Sequence, residues 1–269
     1  MKIYNKLSNE YDALYLKNIE NFIEKYNEIT EENIEFVDFY PSFGVKKGEK
    51  TDFITYGQAV NGWGASFSLK EELEKDKIIE SLKASNSFLA SKGHNPLDWV
   101  NIQWSAPIYN EETEDVEVKD FYKEKYKANR SFFWQVTYRL IDDYYGLDRA
   151  SFEWSSKMVW SNLYKIAPNG ANPSGLEKEI QQPLSAELVK KEMDELKPKF
   201  CVVLTNEKWW IPFRETIQTE SIPYDDSLDI IECVEKYNST KIIVTKRPRF
   251  GSIDDYEKYV KQILSVIKS

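Results

Sequence analysis

The chain has 269 residues, of which 41% are hydrophobic and 14% aromatic, and it carries a formal net charge of -9. This length supports one domain with a substantial core, and the acidic balance argues against broad adhesion to nucleic acid while leaving room for a local basic surface. With only Cys201, Cys233 and His94 available, a disulfide framework, a cysteine-based zinc site and histidine-rich chemistry are disfavoured, so we expect neither metal nor cofactor.

The first part of the chain predicts an amphipathic helix. Apolar residues recur at helical spacing over residues 9–30, within an N-terminal helical extension of residues 1–36. The opening MKIYNKLSNEYD has charges where a signal peptide needs an apolar stretch, and the chain has no uninterrupted run of about 18 apolar residues. We therefore expect a soluble, cytoplasmic protein with no membrane partner.

Residues 38–50, DFYPSFGVKKGEK, read as a loop that leads into a strand, DFITYG. The glycine-rich stretch YGQAVNGWG follows directly, and residues 68–91 then begin with a Ser and Glu in capping-box spacing, which predicts a helix. Residues 93–130 combine Pro, Trp and an acidic run, and we interpret this range as an insertion.

The second half of the chain alternates helices and strands. Residues 131–145 read as a buried helix and KMVWSNLYKIA as a strand. QPLSAELVKKEMDELKP predicts a helix with Ser185 as its N-cap, followed by the strand KFCVVLTN. TKIIVTKRP reads as the last strand, and a capping box of Ser252 and Asp255 begins the final helix.

Four apolar strands separated by helices predict one α/β domain over residues 1–269, a monomer. We expect a three-layer α/β/α sandwich around a central four-stranded, mainly parallel sheet. Ligands of such sheets bind at the carboxyl ends of the strands, so the loops after Thr55, Ser161, Thr205 and Thr245 should form the site.

Each group at these strand ends has a structural and a functional interpretation. Gly57, Gly62 and Gly64 either supply a tight turn or let the backbone approach a ligand. Phe67 and Trp63 are either core residues or stacking rings. Two further features are open in the same way: Asn162 faces either a ligand or a structural partner, and KRPRF is either a phosphate-binding tip or a solvated loop.

The four loops read, in order, GQAVNGWGASF, NLYKIAPNGANPS, NEKWW and KRPRFGS. Over roughly residues 37–265 this order resembles the uracil-DNA glycosylase superfamily. Members typically have a Gly-Gln-Asp-Pro-like motif after the first strand, a Phe that stacks on the base, a strand-end Asn and a late His-Pro-Ser motif. Here GQAV, Phe67, Asn162 and Arg247-Pro248-Arg249 occupy those places.

The resemblance implies a role for each of these residues. Base binding falls to Gly57, Gln58, Ala59, Trp63, Phe67 and Asn162, and DNA binding to Lys246, Arg249 and Phe250. Arg247 would stabilise the departing base as a cation, and Asn61 would orient water, with Asp52 and Asn172 as competitors for that role.

Two departures from the family pattern change the expected target. Ala59 stands where many members have a water-activating Asp or Asn, and Arg247 replaces the late His. We therefore expect a metal-independent DNA glycosylase that flips a damaged or modified base, not only uracil, out of single- or double-stranded DNA, in repair or in phage defence. The alternatives are a catalytically silent nucleic-acid or nucleotide-binding module of the same fold and a hydrolase of small nucleosides.

Overall fold

The computed structural model describes residues 7–32, 34–59, 66–68, 78, 95–102, 128–247 and 251–269. In these ranges the α-helices are α1 (Asn9–Ile29), α2 (Asp98–Ile102), α3 (Phe132–Tyr145), α4 (Gly175–Leu196), α5 (Glu207–Ile217) and α6 (Ile253–Lys268). The strands are β1 (Glu35–Asp38), β2 (Ser42–Phe43), β3 (Phe53–Gly57), β4 (Ser66–Ser68), β5 (Met158–Asn162), β6 (Ile166–Pro168), β7 (Phe200–Val203), β8 (Glu220–Ser221), β9 (Ile231–Tyr237) and β10 (Thr240–Thr245). None of the described helices is long and apolar enough to cross a bilayer.

The main sheet has seven strands in the order β2-β5-β3-β7-β10-β9-β8. Its four central strands, β5, β3, β7 and β10, pair in parallel, whereas β2, β9 and β8 add antiparallel edges. The chain is therefore α/β with a mixed sheet that is wider than the four strands expected. Because the central strands are parallel, their carboxyl ends meet at one edge.

A second, three-stranded antiparallel sheet is built from β4, β1 and β6. The segment KMVWSNLYKIA, expected as one strand, is divided between the two sheets, with β5 in the large one and β6 in the small one. The expected loop of residues 38–50 is also wrong in part, since it contains the end of β1 and all of β2. Its apolar side chains bury against the sheets, which offsets the cost of its irregular backbone.

The two faces of the large sheet belong to two separate hydrophobic clusters. Successive residues of β3 alternate between them, because side chains of a strand point to opposite faces. Ile54 and Tyr56 pack in a cluster with residues of α1, α4 and α5. Phe53 packs in the other, with residues of α3 and α6.

The N-terminal helix and the beginning of the expected insertion are both parts of the core. In α1, Tyr11, Tyr15 and Phe22 are fully buried, and the Ser8 hydroxyl before it donates to Glu195 Oε1 of α4 at 2.5 Å. Residues 95–102 begin the described part of the 93–130 range, and their Leu97, Trp99 and Val100 are buried. The expected helix over residues 68–91 lies almost wholly outside the described residues.

The N-cap of helix α4 lies eleven residues before the expected cap. Its N-cap is Ser174, in a capping box with Glu177, and the expected cap Ser185 is buried inside the helix. The signal that misled the prediction is Pro183, which normally favours a helix start or a break but here lies within α4. The capping box of Ser252 and Asp255 does begin α6, as expected.

Candidate functional site

The carboxyl ends of β3, β5 and β7 are joined by hydrogen bonds between their following loops. Gly57 pairs with Asn162 in register, and the Leu163 N–H donates to the Gly57 carbonyl at 2.9 Å. The Tyr164 N–H donates to the Gln58 carbonyl at 3.1 Å, and Gln58 Nε2 reaches the Thr205 carbonyl at 3.4 Å. We call the group formed by Gly57, Gln58, Asn162 and Thr205, with Phe133 described below, the strand-end site.

Gly57 is a glycine because the Asn162 side chain lies directly over it. A Cβ at position 57 would be 2.4 Å from Asn162 Oδ1, closer than side chains tolerate. The backbone of Gly57 is not in the left-handed region, which the described glycines 48, 146 and 170 do adopt. For Gly57, close approach is therefore the reason and a tight turn is not; Gly62 and Gly64 lie outside the described residues.

The amide groups of Asn162 and Gln58 retain unused hydrogen-bonding capacity. Asn162 is 2% exposed and Gln58 7% exposed, yet Asn162 Nδ2 and Gln58 Oε1 find no partner among the described residues. A buried polar atom left unpaired costs about 1–3 kcal/mol, so such atoms are rare in folded proteins. One donor and one acceptor at the same edge suit a ligand that offers the complementary pair.

A fully buried lysine, Lys165, which the sequence analysis missed, donates a hydrogen bond to the backbone of Asn162. Lys165 Nζ donates to the Asn162 carbonyl at 2.6 Å and to Ser161 Oγ at 2.8 Å, and it pairs with Glu192 at 2.6 Å. Burial lowers the pKa of Lys165, while the Glu192 carboxylate opposes that shift. The sequence signal was available, since Lys165 is the one charged residue in the run LYKIA.

Two tyrosines complete the pairing of Glu192. The Tyr11 hydroxyl donates to Glu192 Oε1 at 2.7 Å and the Tyr56 hydroxyl to Oε2 at 2.8 Å. Burial, followed by the nearby Glu192 charge, raises the pKa of both tyrosines well above the ordinary value. The buried ion pair is thus fully hydrogen-bonded, which is the condition under which such a pair is tolerated in a core.

An aromatic ring from α3 reaches the strand-end site, and the sequence analysis assigned it no functional role. Phe133 Cε2 lies 3.8 Å from the position of a Cβ on Gly57, and the half-buried ring packs edge-on against Trp134 with centroids 5.0 Å apart. Gly251, just before α6, lies close to the neighbouring Phe132, because a Cβ on Gly251 would be 2.7 Å from Phe132 Cε2. The beginning of α3 therefore lies near both the end of β3 and the start of α6.

The expected stacking ring Phe67 belongs to β4 of the small sheet, is buried, and packs against Phe36 with ring centroids 6.1 Å apart. Ala59 is half-buried and packs against both hydrophobic clusters, at the end of the large sheet. Trp63 and Asn61 lie outside the described residues.

The basic tip stands apart from Asn162. Lys246 and Arg247 are exposed beyond the end of β10, three strand spacings of about 4.8 Å from β5, or roughly 14 Å in all. Lys246 has an acidic neighbour in space, Asp229, whose pKa is lowered mainly by its hydrogen bond to Lys258 and slightly by Lys246. Arg249 and Phe250 lie outside the described residues.

The two competitors for the water-orienting role are not at the strand-end site. Asp52 precedes β3 and so lies at the opposite edge of the sheet, where its Oδ2 accepts from the Tyr145 hydroxyl at 2.9 Å and from Lys199 at 3.1 Å. Asn172 is exposed in the turn before α4. The expectation for Asp52 is wrong because a residue at the start of a parallel strand cannot reach the strand's carboxyl end.

The strand-end site thus offers amide, backbone and aromatic groups to a ligand. In the described ranges no group of three or more His, Cys, Asp or Glu side chains is arranged to hold a metal ion. A scan against protein-family models finds no family that matches this chain, and a search of curated proteins finds no match either.

Proposed function

We propose that this chain is a divergent DNA glycosylase of the uracil-DNA glycosylase superfamily, which holds a flipped-out base at the strand-end site and hydrolyses its N-glycosidic bond. In this proposal the four parallel strands and the helices on their two faces form the three-layer sandwich of that fold. A ligand site at the carboxyl edge of an open parallel sheet agrees with the general rule for such sheets.

The observation that carries the proposal is the pair of unused buried amide atoms. Asn162 Nδ2 offers a donor and Gln58 Oε1 an acceptor, and the two residues lie at the carboxyl ends of the neighbouring strands β5 and β3. The Watson-Crick edge of a nucleobase offers the matching acceptor and donor, and enzymes that flip bases read that edge by such hydrogen bonds. Phe133 takes over the stacking role that the resemblance implied for Phe67.

The proposed chemistry needs charge stabilisation more than acid catalysis. Cleavage of the N-glycosidic bond leaves negative charge on the departing base, and a fixed cation near that base lowers the barrier. In this proposal the base extends from Asn162 across β3 and β7 toward the end of β10, where Arg247, protonated at neutral pH, acts as this cation and not as an acid. Asn61, three residues after Gln58 in the sequence, orients the attacking water in this proposal.

The test is a base-release assay on single- and double-stranded DNA that carries uracil, hypoxanthine, xanthine, 5-hydroxymethyluracil or modified cytosines, with cleavage by alkali at abasic sites as the readout. We expect release of at least one base by the wild-type chain, and loss of release in Asn162→Ala and Arg247→Ala. Asn172→Ala, which removes an exposed amide away from the site, is the matched control. No release from any of these substrates would refute the enzymatic proposal.

A catalytically silent binding module is the second candidate, and one observation favours it. Among the described residues no carboxylate or imidazole hydrogen-bonds to Asn162 or Gln58, so the strand-end site has no general base of its own there. Binding of base-containing DNA or nucleotides, weakened by Asn162→Ala and without base release, supports this candidate. Free nucleosides in the same panel test the small-nucleoside hydrolase, which the net charge of -9 would hinder less than a DNA enzyme.

A further inference from the structure

A cavity of about 350 Å³ lies between the first turns of α4 and α5. Small-molecule sites in proteins start at about 300 Å³, so this volume is enough for a ligand. The cavity has an aromatic wall and charged residues at its mouth. We call it the helix pocket; its lining includes Tyr164, Lys178, Glu179, Gln182, Lys208 and Trp209.

The helix pocket is lined by residues that directly follow the strand-end site in the chain and are hydrogen-bonded to it. Tyr164 is the second residue after Asn162, and its backbone N–H donates a hydrogen bond to the Gln58 carbonyl. Trp209 follows Thr205 closely, and Asn206 between them caps α5 by accepting the Trp209 N–H at 3.2 Å. The loops that build the strand-end site therefore also build one wall of the pocket.

The wall combines an aromatic platform with positive charge. Tyr164 and Trp209 pack edge to face with centroids 5.6 Å apart, and Lys178 Nζ lies 4.7 Å above the Trp209 ring. Lys208 is exposed at the same rim, and Glu179 is the one acidic residue of the lining. A flat ring that stacks on Trp209 would displace Lys178 from the ring face and leave its ammonium group to meet an anion.

Two helix prolines leave backbone carbonyls without their helical donors in residues that line the pocket. Pro183 in α4 and Pro212 in α5 have no N–H, so the carbonyls of Glu179 and Lys208, four residues earlier, lose their helical donors. Both of these residues line the pocket. Acceptors beside an aromatic wall favour a ring that carries N–H groups.

We infer that the helix pocket binds a nucleoside monophosphate unit, with its base against Trp209 and its phosphate at Lys178 and Lys208. The inference rests on the proposed function, because it makes the pocket the subsite for the nucleotide next to the one at the strand-end site. The unit comes either from a single-stranded stretch of nucleic acid or from a free nucleotide.

The test measures affinity by fluorescence anisotropy with a fluorescein-labelled oligothymidylate, and separately by calorimetry with free thymidine monophosphate. Trp209→Ala should weaken oligonucleotide binding at least about fivefold, whereas Trp209→Phe should keep most of the affinity because it keeps a stacking ring. Gly175 also lines the pocket, and Gly175→Phe should block it without harming the fold, since a Cβ on Gly175 has no atom within 4 Å. Circular dichroism confirms that each variant is folded.

Salt dependence separates a phosphate contact from a general loss of charge. Lys178→Ala or Lys208→Ala should each reduce the slope of log Kd against log salt concentration by about 0.7, which is the value for one phosphate of a single strand. Lys261→Ala, an exposed lysine on α6, is the matched control and should leave the slope unchanged. Equal slopes in all three variants would contradict a phosphate contact in the pocket and overturn the inference.

The outcomes distinguish this inference from the proposed function. Unchanged affinity of Trp209→Ala and Gly175→Phe for both probes overturns the inference, even if base release by the wild type upholds the proposed function. Binding that depends on Trp209 without any base release supports the inference while the enzymatic proposal fails. Dependence on Trp209 for thymidine monophosphate but not for the oligonucleotide supports the pocket and assigns it to free nucleotides.

Discussion

The substitution Gly57→Ala tests whether the Asn162 side chain packs directly against the backbone of Gly57. The added Cβ would lie 2.4 Å from Asn162 Oδ1, so the buried amide must retreat from its place. Overpacking of this kind lowers the free energy of unfolding by about 1–3 kcal/mol. Replacement of glycine also lowers the entropy of the unfolded chain, which raises the free energy of unfolding by about 0.5–1 kcal/mol. We expect Gly57→Ala to lower the free energy of unfolding by about 1–2 kcal/mol.

A double-mutant cycle isolates the contact. In an Asn162→Ala background the clash is gone, and the other near atom, Phe133 Cε2 at 3.8 Å, is at an ordinary distance. Gly57→Ala should then be neutral or stabilising, which gives a coupling energy of about 1–3 kcal/mol between the two positions. Urea unfolding of the four chains, followed by tryptophan fluorescence, measures it.

The reasoning fails if the two substitutions are additive. Equal destabilisation by Gly57→Ala in both backgrounds would mean that the added methyl group meets something other than the Asn162 amide. The prediction does not depend on the proposed function. If the strand-end site does bind a base, Gly57→Ala should also weaken that binding, because it moves the amide that forms the site.

Three further predictions concern buried groups. Lys165→Met should destabilise the fold by about 3–5 kcal/mol in urea unfolding, because it leaves Glu192 buried without its cation, whereas Lys191→Met, at an exposed ion pair, should change stability little. Burial raises the pKa of Asp38 from 3.8 to about 7, so the contribution of this residue to stability should be greatest below pH 4 and fall by about 4 kcal/mol as the pH rises to 7. Asp38→Asn should flatten the dependence of the urea midpoint on pH, and an unchanged slope would rule out this residue as its source. Phe133→Ala should weaken binding of a base-containing ligand by about 1–3 kcal/mol with little loss of helix by circular dichroism, and full affinity would refute its stacking role.

The sequence was most informative where one local signal dominates. The strands β3, β7 and β10 are recognisable because central parallel strands are buried on both faces and read as continuous apolar runs. The missed helix α5 contains Pro212, which reads as a helix breaker, although the Asn206 cap and the buried Trp210 and Phe213 hold it together. The partly exposed strand β9 lacks a continuous apolar run and is identified only by its pairing with β10.

The candidate site was predictable to the extent that it follows from chain order. Asn162 and Gly57 end neighbouring parallel strands, and their proximity follows from that alone. The nearness of Phe133 to Gly57 depends on how α3 packs on the sheet, and the spatial neighbour of Lys246, Asp229, comes from a separate loop. Such contacts between distant segments leave no periodic signal in a single sequence.

The bonds between α1 and α4 have a consequence for synthesis of the chain. Tyr11 and Ser8 bind Glu192 and Glu195, which are added more than 180 residues later. At about 5–20 residues per second, α1 waits roughly 10–40 s on the ribosome before α4 exists. During that time the part of the apolar face of α1 that packs on α4 has no native partner, so this helix completes its docking late and that part of its surface needs protection until α4 is made.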